Sequence, residues 1–66
     1  MSIYRILERV DGGDWQVSAG GRIYRTLGTA RGIITQMKRR YRYWDGRRGV
    51  TREFKIQESA TEWRDA

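Results

Sequence analysis

Ala30, Ile33, Ile34, Met37, Tyr41 and Trp44 recur at helical spacing. Set at about 100° per residue, they fall within an arc of about 100°, the width of a stripe that a helix buries. This predicts one amphipathic helix over residues 29–44, lying with that stripe on another layer. Asp45-Gly46 reads as its end, with Gly46 as a left-handed cap and Arg47-Arg48-Gly49 as the following loop.

The rest of the chain is cut into pieces too short for a second helix. Residues 3–10 fit both a helical and an alternating repeat; the strong turn signal Asp11-Gly12-Gly13-Asp14 and the clean alternation of residues 15–19 favour strand. Gly20-Gly21 marks a second turn, and residues 22–26 a third short strand. Residues 50–57 alternate with Val50, Phe54 and Ile56 on one face, giving a last strand. Residues 58–66 are polar apart from Ala60 and Trp63, so either Trp63 folds back on the sheet or the segment is a partly ordered tail. The expected order is β-β-β-α-β: a small α+β domain over residues 1–66, with one helix on one face of a small sheet. The helical connection is long enough to set the last strand parallel to the third, in a right-handed crossover.

Sixty-six residues with no Cys and no His give a thin stability margin without disulfide or ordinary zinc staples. Packing of Trp15, Trp44, Trp63, Phe54 and four Tyr, or self-association into a homo-oligomer, must supply the rest. The same absences argue against catalysis, since the commonest general base and thiol nucleophile are missing and the acids are scattered. No enzyme, metal or cofactor is expected. No apolar run approaches the roughly 20 residues of a membrane span, and none follows Met1 as a signal peptide would, so a cytoplasmic protein without a membrane partner is expected.

Charge is the most localised property of the chain. Between Trp15 and Trp44 there is no Asp or Glu, yet Arg22, Arg25, Arg31, Lys38, Arg39, Arg40 and Arg42 all lie there. The flanking segments nearly balance, so the formal +6 comes from the middle. On the helix, Arg31, Lys38, Arg39 and Arg42 share an arc apart from the apolar stripe, and Arg40 lies on the far flank. Guanidinium groups on one helical face match successive phosphates, with Arg25, Arg47 and Arg48 as flanking contacts. The plain alternative is a solvated face, favoured near a helix C-terminus by the macrodipole at about 0.3–1 kcal/mol per cation. That accounts for Arg39, Arg40 and Arg42 but not for Arg22, Arg25 and Arg31.

Three smaller features complete the reading. The helix start (Gly28, Thr29, Arg31) has no acid in its first turn, which makes it a candidate anion site; the alternative is that Gly28 and Gly32 only allow close packing. Tyr41-Arg42-Tyr43-Trp44 interleaves aromatics with arginine as base-stacking proteins do, but Tyr41 and Trp44 fall on the apolar arc and are expected in the core, leaving only Tyr43 outside. An anionic membrane is a poor partner, because folding consumes the apolar arc.

The stretch Tyr24-x-Thr26-x-Gly28-x-Ala30-Arg31-Gly32-x-x-Thr35, preceded by a Trp-bearing strand and followed by Trp63, resembles small accessory proteins encoded by actinobacteriophages. The resemblance implies a setting in the bacterial host cytoplasm and a role in binding DNA or diverting a host protein, and it assigns no site residues. The leading expectation is a non-enzymatic module that binds nucleic acid through Arg31, Lys38, Arg39 and Arg42. The alternative is a protein–protein module, an inhibitor of a host factor or an oligomeric virion part. It would use the same face against an acidic partner, or the strand beginning at Ile3 as an exposed sheet edge.

Overall fold

A computed structural model describes residues 2–66. Four strands, β1 (Ile3–Val10), β2 (Gln16–Val17), β3 (Arg52–Ser59) and β4 (Trp63–Asp65), form one antiparallel sheet in the order β2-β1-β3-β4. One helix, α1 (Leu27–Arg48), lies on one face, so the fold is a small α+β domain.

The sheet differs from the expected meander at its centre. Residues 22–26 make no strand; Tyr24 alone bridges Tyr4, in both directions at 2.8 Å. Ala19–Gly21 forms a 3-10 turn and Thr26 already caps α1, so no length of chain remains for a ladder. With the third strand absent, β3 does not sit beside residues 22–26; it runs in their direction but on the other side of β1, antiparallel to β1 with all eight residues in register from Val10↔Arg52 to Ile3↔Ser59. The cause is the helix, about 33 Å long at its 22 residues. It carries the chain past the sheet and returns it beside Val10, where Asp11 N–H donates to the Thr51 carbonyl at 2.7 Å and Thr51 N–H to Asp11 Oδ1 at 2.9 Å. Pairing with β3 places β1 inside the sheet rather than at an edge. The edges are the two-residue β2 and the three-residue β4, too short to invite a second chain.

Alternation sends Tyr4 and Ile6 of β1, and Phe54 and Ile56 of β3, toward α1. There they pack with Tyr24, Ala30, Ile33, Ile34 and Met37. Among the described residues the buried hydrophobics are Ile6, Leu7, Tyr24 and Ala30, so the core is thin. The other sheet face is held by cations over indoles: Arg5 lies 4.2 Å from the Trp63 ring, and Trp15 receives Arg9 at 4.7 Å and Lys55 at 4.5 Å. Trp63 therefore folds back onto the sheet, pairing with Ser59.

The helix outruns its expected end by a full turn. Gly46 is helical, and the cap is Gly49 at φ 67°, whose N–H reaches the Asp45 and Gly46 carbonyls. Arg47 and Arg48 thus belong to the last turn, where cations suit the carbonyl end of the helix, and not to a loop.

Candidate nucleic-acid interface

The described structure separates the charges by layer. Helix α1 carries seven cations and one carboxylate, Asp45, so its excess equals the +6 of the whole chain. Asp45 itself is taken: Arg52 Nε donates to its Oδ2 at 2.8 Å, and Arg52 Nη1 reaches Glu8 Oε2 at 2.8 Å. On the open sheet face Arg9 pairs with Glu53, and Lys55 with Asp65 at 3.3 Å. Every ion pair among the described residues uses a sheet cation.

The helix cations are left without acid partners among the described residues. Arg31, Lys38, Arg39 and Arg42 are exposed along α1, Arg25 is exposed just before it, and Arg47 and Arg48 are exposed in its last turn. Arg47 Nη1 donates to the Tyr43 hydroxyl at 3.1 Å, an aromatic and not an acidic partner. Arg31, Lys38, Arg39 and Arg42 form a cationic track on one arc of the helix with Arg25 before it, while Arg47 and Arg48 lie off that arc, on the side of Trp44.

Gly28 and Thr29 lie exposed in the first turn beside Arg31. The Thr26 hydroxyl accepts the Thr29 N–H at 3.2 Å, and the Ala30 N–H reaches the Thr26 carbonyl at 3.3 Å. Two of the amides that an anion would use are therefore already satisfied.

Two features of this surface lay outside the sequence reading. Trp44 is not in the core but 56% exposed, beside Tyr43 at 61%. The helical residues packed on the apolar core end at Met37, with Tyr41 half-buried under the Arg52 guanidinium at 4.3 Å; Trp44 comes one turn later, where α1 is held to the sheet by the Asp45–Arg52 ion pair. No local signal marks this: the Asp45–Arg52 ion pair that ties the helix end to β3 joins residues that only the fold brings together. The second feature is a groove of about 590 Å³ between α1 and the β2 side, floored by Val17, Tyr24, Ile33, Met37 and Tyr41 with Arg22 and Arg40 at its rim. It follows from the missing third strand, which local sequence could not reveal.

No helix is long and apolar enough to cross a membrane, and no cluster of acids among the described residues could hold a metal ion. Comparison with protein-family models, curated proteins and solved structures found no match to this chain.

Proposed function

We propose that this chain is a non-enzymatic module that binds nucleic acid by laying α1 along a phosphate backbone. Arg31, Lys38, Arg39 and Arg42 make the central contacts, and Arg25, Arg47 and Arg48 the flanking ones. The observation that carries this reading is the sorting of charge: Arg9, Arg52 and Lys55 of the sheet are matched by carboxylates, whereas no ion pair among the described residues involves a helix cation. Unpaired guanidinium groups on a rigid rod gain by releasing the counterions condensed on a polyanion. Such contacts position a protein without reading base sequence. The resemblance to phage accessory proteins supports a role of this kind in a bacterial host cytoplasm.

The test is binding to a fluorescent duplex of about 20 base pairs and to its single strand, across about 50–300 mM salt. A log–log slope equivalent to about four or more phosphates is expected, together with collapse of affinity in the double charge reversal K38E/R42E. Unchanged affinity in that variant overturns the assignment of the helix. Negligible binding at low salt removes nucleic acid and leaves an acidic protein as the partner of the same face.

A further inference from the structure

The exposed Trp44 lies in the last two turns of α1, off the arc of Arg31, Lys38, Arg39 and Arg42, and its neighbours define what it faces. Residues three and four apart share a helix face, so Arg40, Arg47 and Arg48 border the indole. Tyr43 stands against it at 5.3 Å between centroids and 83° between planes. Arg47 in turn lies over the Tyr43 ring at 5.8 Å and holds its hydroxyl. The one nearby carboxylate, Asp45, is bound to Arg52 on β3. Trp44 is therefore an open aromatic surface, braced by Tyr43 and bordered by guanidinium groups that make no ion pair among the described residues.

We propose that Trp44 is a stacking platform for an unpaired base, so that the chain prefers single-stranded or frayed nucleic acid over intact duplex. This rests on the phosphate-binding reading above and deepens it. A flat ring bordered by cations matches a nucleotide, whose base offers a π-face and whose neighbouring phosphates offer negative charge. An apolar protein segment would have to bury three arginines without counter-charge, which is costly. An anionic membrane would find only two rings, because the Ile and Met side chains of α1 are committed to the sheet. In an intact duplex the bases already stack on one another, so Trp44 gains nothing there. Tyr43 is a positioning residue that fixes the indole edge-to-face.

The experiment compares wild type, W44A, W44F and K38E/R42E on an oligothymidine of about 15 nucleotides and on a blunt duplex at one fixed salt concentration. W44A is expected to lose about tenfold in single-strand affinity with duplex affinity unchanged, W44F to retain most of it, and tryptophan fluorescence quenching by the oligonucleotide to shrink in W44A. Equal losses on both probes, or none on either, overturn the platform while leaving the phosphate track standing. Absence of binding by wild type to both probes overturns the underlying reading and the platform with it. A wild-type dimer in sedimentation that W44A abolishes, with single-strand affinity unaltered, assigns the ring to a second copy of the chain instead.

Discussion

Arg52 of β3 donates to Asp45 of α1 through both Nε, at 2.8 Å, and Nη2, at 3.3 Å, fastening the last turns of the helix to the sheet. The same guanidinium reaches Glu8 of β1, so one side chain ties three elements together. The hydrogen bond from Arg52 holds the Asp45 carboxyl below its ordinary value of 3.8, and Gln57 with Lys55 does the same for Asp65. A depressed folded-state value means that ionised Asp45 contributes stability that is fully present above its unfolded value and lost as pH falls through the folded one. The melting temperature should therefore be flat near neutrality and fall at pH below 3.8. D45N should melt lower than wild type at neutral pH and fall less steeply in acid. Circular dichroism melts from neutral to strongly acid pH make the comparison, and parallel curves for the two proteins would sink the assignment.

Two glycines near the helix end should respond in opposite directions. Gly49 adopts φ 67° as the C-cap, so G49A should cost about 1–2 kcal/mol. Gly46 lies inside the helix with open space where a Cβ would stand, and G46A should stabilise by about 0.5–1 kcal/mol. Urea unfolding of both variants decides the matter; a destabilised G46A would place the cap one turn earlier.

Ile6 is fully buried at the centre of the cluster with Tyr24 and Ala30. I6A should cost about 2–5 kcal/mol, the order of the entire stability of so small a domain. At about 4–8 °C per kcal/mol the melting transition should fall steeply or vanish. A loss under about 1 kcal/mol would mean that the helix does not depend on this contact.

Trp15 and Trp44 should divide by role. W15A removes the ring under both Arg9 and Lys55 and should destabilise by about 1–2 kcal/mol. W44A touches an exposed ring and should change stability by no more than about 0.5 kcal/mol. Equal losses would show that Trp44 supports the fold and not a ligand.

The amphipathic helix, the first and last long strands and the location of the net charge were all legible in the sequence. They depend on local spacing: apolar residues every three or four positions from Ala30 to Tyr41, alternation through Phe54 and Ile56, and a run of arginines without acids. What local spacing could not carry was decided by distant partners. Residues 22–26 alternate as a strand would, yet Tyr24 finds only a single bridge, because the Ala19–Gly21 turn and the Thr26 helix cap leave no length for a ladder, and β3 arrives from far along the chain on the other edge of β1. Trp44 continues the apolar stripe, yet it stands exposed, because this end of the helix is held to the sheet by the Asp45–Arg52 ion pair and not by apolar packing on its indole. Nothing in local spacing joins Arg5 to Trp63 or Lys55 to Trp15; only the return of these indoles over the sheet brings ring and cation together. Periodicity sets which residues share a face, but burial requires a second surface at the right distance, and only the tertiary fold supplies it.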